Sequence, residues 1–208
     1  MKEKVGNMIA TQGANEVKIS DGIISEYPEL PFVELKDIAI GEIFTTAAGD
    51  FIALKHREDG TTEVVSANSI TKMAFGDNND WRESNHRNHL NSEYLAELHT
   101  KLGEDNIIKH TVDLLSLDGR KDYGVSEDMV NILTLDQYRK HSKYIIPTIK
   151  PGETFSLSTP YSTPSGVGAG GVLFVLSRGD VGWFGCGWDG LGVRPFLNLK
   201  SDIFVSKK

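Results

Sequence analysis

The chain has 208 residues, 39% of them hydrophobic and 25% charged, the composition of an ordinary soluble globular domain long enough to bury about 70% of its unfolded surface. Its formal net charge of -7 argues against a nucleic-acid groove, and no apolar run is long enough to cross a membrane. A single cysteine excludes an internal disulfide and a cysteine-based zinc cage, and the opening residues carry no apolar core of a secretory signal, so synthesis in a reducing cytoplasm is expected.

In chain order, residues 1–30 are polar with few periodic apolar positions and read as an arm or a short edge element. The run FIALKH (51–56), the turn Glu58-Asp59-Gly60 and the run TTEVVS (61–66) read as a β-hairpin, with Gly60 supplying a positive φ. GDNND (76–80) is a polar loop leading into a helical region. Ser84 is placed to cap a short helix over residues 85–90. Ser92 is placed to cap a second, with Tyr94, Leu95, Leu98 and Leu102 at helical spacing and Gly103 as its stop. NIIKHTVDLL (106–115) suits a strand ending in the turn LDGRKDYG. DMVNILTLDQYRKH (128–141) reads as a strand and then a helix, with Thr134 and Gln137 at capping-box spacing.

Beyond the link IIPTIKPGE there is no helical period. GVLFVL turns at Arg178-Gly179 into DVGWF, and VRPFLNL follows Asp189-Gly190, which reads as one compact β-meander. The layout is α+β, with two to three short helices in the middle and an irregular antiparallel sheet towards the C-terminus.

Each chemical motif has a plainer reading beside it. Arg178-Gly179-Asp180 spells an integrin-binding tripeptide, but Gly179 also stands where a hairpin turn needs it, and the turn is preferred. Cys186 has no sequence-adjacent histidine or cation to hold a thiolate and reads as a small half-buried thiol. His86 and His89, at i, i+3, could face one ion; without further ligand spacing they read as a partly exposed polar pair. GDNND lacks the central glycine and distal glutamate of a calcium loop, so Asp77 and Asp80 read as caps of a helix or turn. GVGAGG (166–171) lacks the context of a phosphate loop.

Trp81-x-x-Ser84, Arg87-x-x-Leu90-Asn91, Ile132-Leu133-Thr134 with Gln137-Tyr138, the extended segment 155–160 and GVRPFLNL (192–199) occur in an order that resembles bacterial and phage DUF6273-like proteins. The same order resembles the variable proteins of diversity-generating retroelements. The resemblance spans roughly residues 35–205. It implies a C-type lectin-like fold of the formylglycine-generating type over residues 31–208, no cofactor or metal, and a phage or prophage origin with possible virion association. It also implies that the stretch before the terminal Gly-x-Arg-Pro element, 167–191 here, carries changeable ligand-contacting side chains. Those are Val167, Ala169, Leu173, Val175, Arg178, Asp180, Trp183, Phe184, Trp188, Asp189 and Leu191. Arg194 is assigned a structural role, tying the last strand to the sheet through its guanidinium. His86 and His89 depart from the apolar residue and aromatic that relatives carry, and Phe155-Ser156-Leu157-Ser158 replaces a tryptophan-rich run. The sugar motifs of calcium-dependent lectins are absent, and the lone cysteine excludes formylglycine-generating chemistry.

The residues agree with a display surface: glycine turns hold a sheet, and aromatics typical of binding hot spots project from it. The plain alternative is that each aromatic fills the core. The expected partner is a protein or glycan, on a host cell surface, with self-association open. A different class, an acidic inhibitor of a host defence enzyme, rests on the charge of -7 alone. A hydrolase using the histidines or Cys186 is the third reading.

Overall fold

The structure, a computed structural model, describes residues 32–208; before them it describes only the backbone of two paired antiparallel strands, β1 (Ile9–Gln12) and β2 (Asn15–Lys18). The remainder of the arm read over 1–30 lies outside the described residues. The chain then runs β3 (Phe32–Glu34), β4 (Ile43–Thr46), β5 (Gly49–His56), β6 (Thr61–Ser66) and β7 (Thr71–Lys72). Helices α1 (Asn85–Leu90) and α2 (Glu93–Leu102) follow, then β8 (Ile107–Ile108), β9 (His110–Asp113), β10 (Val125–Asp128), β11 (Val130–Ile132) and helix α3 (Leu135–Ile145). The last part is all strand: β12 (Phe155–Pro160), β13 (Gly171–Val175), β14 (Val181–Gly185), β15 (Gly192–Val193), β16 (Pro195–Lys200) and β17 (Phe204–Lys207).

The fold is α+β. An eight-stranded antiparallel sheet has the order β11-β16-β6-β5-β4-β17-β3, with β8 also on β16, and a five-stranded sheet has the order β14-β13-β12-β15-β7. The β5–β6 hairpin turns at Gly60, whose φ is +80°. Successive residues of β5 enter different cores: Phe51 and Ala53 join one cluster, Ile52 and Leu54 the other. The large sheet is therefore covered on both faces, by α1 and α2 on one side and α3 on the other, and a strand buried on both faces needs an unbroken apolar run such as FIAL.

The helix signals hold with one exception. Ser84 accepts from the Arg87 amide to cap α1, and Thr134 with Gln137 forms a reciprocal capping box on α3. Ser92 does not cap α2; its hydroxyl donates to the Asn88 carbonyl one turn back. The motif residues shared by α1 and its neighbours form a buried brace. Asp128 accepts from Trp81 Nε1, Arg87 Nε and Ser126 Oγ at 2.7, 2.7 and 2.6 Å, and Asn91 Nδ2 donates to the Val130 carbonyl at 2.7 Å.

The expected single meander over 171–199 is corrected. β13 and β14 do form a hairpin, but β15 pairs parallel with β12 and antiparallel with β7, and β16 crosses into the large sheet between β6 and β11. Arg194 stands at the crossing and is wholly buried. Its guanidinium donates to the carbonyls of Ser66 and Ala67 and to Thr148 Oγ1 at 2.8–3.1 Å and lies over the Phe155 ring, the structural role read for it. The sheet is likewise not a C-terminal appendage: β17 inserts between β4 and β3 from the first third of the chain, and β16 between β6 and the mid-chain β11.

Candidate functional site: an aromatic edge strand

β13 is buried on both faces. Val172 and Phe174 enter one core, Leu173 and Val175 the other, which is why GVLFV is continuously apolar. β14 pairs with β13 alone and forms the edge of its sheet, and its residues are exposed or half-buried on both faces. Period-two alternation puts Val181 and Trp183 on one face and Gly182 and Phe184 on the other. Trp183, Phe184 and Trp188 are 57%, 48% and 38% exposed.

The rings are positioned by neighbours. Trp183 stacks on Tyr161 with centroids 4.8 Å apart, while Phe184 and Phe174 both lean on Trp188. Glycines make room for this. A Cβ on Gly182 would come within 3.0 Å of the Phe174 ring, and one on Gly190 within 2.5 Å of Trp188. The hairpin tip needs Gly179 twice over: its φ is +89°, and a Cβ there would meet Ile146 at 2.6 Å.

Polar loops anchor the site from beneath. Asn79 of the GDNND loop is buried, donates through Nδ2 to the carbonyls of Ser162 and Gly171, and accepts from the Tyr123 hydroxyl through Oδ1. Asp80 caps the next turn, as read from sequence. Asp118 accepts from the hydroxyls of Ser116 and Ser162, and Asp122 from the amide and hydroxyl of Ser165, and these bonds hold both carboxyls below the usual range. These contacts clamp the loop bearing Val167, the most exposed large apolar residue described.

The sequence-derived site residues thus divide. Val167, Arg178, Asp180, Trp183, Phe184, Trp188 and Asp189 are exposed, and Ala169 is half-buried. Leu173, Val175 and Leu191 are corrected: all three are core residues, because β13 is an inner strand and Leu191 packs into the first cluster ahead of β15. Arg178 and Asp180 sit 3.5 Å apart at the hairpin tip. Tyr161 and Val181 belong to the surface yet were not singled out from sequence, and the buried Phe174 supports it from beneath. The alternation of β14 could have flagged Val181, but only sheet pairing brings Tyr161 to Trp183.

Reactive side chains lie elsewhere or are spoken for. Cys186 is buried, and burial pushes its thiol above the ordinary range. His86 is not half-exposed as expected but fully buried. Its Nε2 donates to the Met73 carbonyl at 3.1 Å, its Nδ1 lies 3.2 Å from Ser156 Oγ, and burial pushes its pKa down to about 4. His89 faces Glu93 at 3.4 Å instead. Among the described residues no group of three or more histidine, cysteine or carboxylate side chains is arranged to hold a metal, and no helix is long and apolar enough to cross a membrane. Comparison of the chain with protein-family models, curated proteins and solved structures finds no match.

Proposed function

We propose that this chain is a non-catalytic recognition protein, encoded by a phage or prophage, that binds a protein or glycan on a host cell surface through its aromatic edge strand. The domain is read as C-type lectin-like, on the order of motifs from Trp81 to Arg194. In this reading those motif residues are scaffold, which suits their place in the buried brace and at the sheet crossing.

One observation carries the reading. Trp183 and Phe184 project from an edge strand whose inner neighbour is buried on both faces, and Trp188 joins them from the turn that follows. The scaffold can then be kept while outer side chains change, and aromatic rings bring large contact area at low entropic cost.

The test is capture of a partner from host cell-surface fractions, run beside host lysate, with the wild type and a Trp183→Ala/Trp188→Ala variant. Surface binding that is insensitive to moderate salt and lost in the variant supports the reading. Binding that vanishes in salt and ignores both tryptophans points to the acidic-inhibitor class. Sequencing the gene across isolates tests diversification: substitutions should gather at Val167, Arg178, Asp180, Trp183, Phe184, Trp188 and Asp189 and spare Leu173, Val175 and Leu191.

A further inference from the structure

Away from the aromatic edge, on the face of the large sheet that carries α3, apolar packing gives way to a polar cleft of about 350 Å³. The register explains its floor. Glu63 of β6, Asn198 of β16 and Ile108 of β8 are directly opposed across three strands, one step along from the apolar pair Val65 and Phe196 that α3 covers. Gln137 of α3 bounds the cleft on one side, and His110 and Thr111 of β9 with Glu127 of β10 bound it on another.

Two polar side chains on this floor are incompletely hydrogen-bonded among the described residues. Asn198 is 4% exposed, its Oδ1 is shut off from solvent, and its amide bonds to nothing. Glu63 is almost as buried; Arg57 Nη1 and His141 Nε2, the latter with no other described partner, face it at 3.5 and 3.6 Å, long contacts that leave its oxygens able to accept from a closer donor. Such groups are normally paired when buried.

The chemistry of the missing partner follows. The Glu63 carboxylate can only accept, so the partner must donate to it; Asn198 Oδ1 is shut off from solvent, which leaves Nδ2 of that amide to donate to an oxygen of the same partner. The Glu63 charge is already balanced by Arg57, Lys55 and Lys140, so no further cation is called for. On the rim, Asp59 and Glu127 offset Arg57 and Lys109, so an anion is not favoured either. Directly opposed side chains have Cβ atoms about 5 Å apart, a span that neighbouring hydroxyls on one ring can serve together. We infer that the cleft binds a neutral polyhydroxylated molecule, a mono- or disaccharide by size, with one hydroxyl donating to the Glu63 carboxylate and a neighbouring oxygen accepting from Asn198 Nδ2. This inference is independent of the aromatic edge.

The test is titration of the isotope-labelled full chain, followed by amide NMR. Glucose, galactose, lactose and maltose are the neutral probes; putrescine and inorganic phosphate are the charged ones. A neutral saccharide should move the Asn198 side-chain amide and the backbone amides of Lys109, His110 and Thr111, while the charged probes leave them in place. Glu63→Gln should weaken that binding roughly tenfold, and the exposed rim variant Glu127→Gln about threefold. The inference is overturned if only charged probes move these amides, if saccharides shift the Trp183 and Trp188 indoles instead, or if no probe moves the cleft at millimolar concentration. Folded Glu63→Gln with unchanged affinity overturns it too. Should Glu63→Gln fail to fold, the wild-type shift map and the rim variant still decide.

Discussion

The hydroxyl of Tyr138, on α3, donates a 2.7 Å hydrogen bond to the carbonyl of Gly179, at the tip of the β13–β14 hairpin. A helix on one face of the large sheet thereby fixes the turn from which the exposed aromatic strand departs.

That link predicts two graded losses. Tyr138→Phe should cost about 1 kcal/mol in urea unfolding, the usual worth of one such bond. Gly179→Val should cost at least about 2 kcal/mol, since a β-branched residue must adopt φ +89° with its Cβ 2.6 Å from Ile146. Equal stability of Gly179→Val and the wild type would show that the tip is not held as described.

Tolerance should differ sharply between neighbours in the same glycine-rich stretch. Trp183→Ala removes an exposed ring stacked on Tyr161 and should cost only about 1 kcal/mol. Leu191→Ala empties a fully buried site and should cost about 2–5 kcal/mol. Thermal unfolding of the two variants side by side checks this; comparable losses would make the aromatic strand ordinary core.

Arg194 should resist conservative replacement. Four donor contacts to Ser66, Ala67 and Thr148 use the planar fork of a guanidinium, and an ammonium cannot reproduce them. Both Arg194→Lys and Arg194→Met should destabilise by about 3 kcal/mol or more, because buried carbonyls lose their donors. A folded Arg194→Lys protein of wild-type stability would contradict the role given to the sheet crossing.

Acid should weaken the fold before carboxylates begin to titrate. His86 has its pKa pushed down to about 4 from an ordinary 6.5, so between those values the unfolded chain binds a proton that the folded chain refuses. The stability this neutral histidine supplies is complete above pH 6.5 and is lost as pH falls towards 4, in total roughly 3 kcal/mol. Urea unfolding at a series of pH values should show that slope in the wild type and a flatter one in His86→Gln.

Much of the local structure was legible in the residues themselves. The hairpin at Gly60, the Thr134–Gln137 capping box, the Ser84 cap and the turn at Gly179 each depend on a few adjacent residues and their backbone preferences, and each stands where the sequence places it. The exposure of Trp183, Phe184 and Trp188 was readable only as one of two alternatives. Nothing in an apolar residue says whether its strand is inner or edge, and that choice is made by pairing partners far away in the chain. The same ignorance made Leu173, Val175 and Leu191 look like display positions, and His86 look half-exposed. The cleft floor was beyond reach for the same reason: Glu63 and Asn198 lie far apart in sequence and meet only because the chain leaves the small sheet after β15, turns at Arg194 and enters the large sheet as β16 beside β6. Local signals are energies of neighbouring residues and survive in the sequence; sheet order is a property of distant contacts, and the tertiary fold alone decides it.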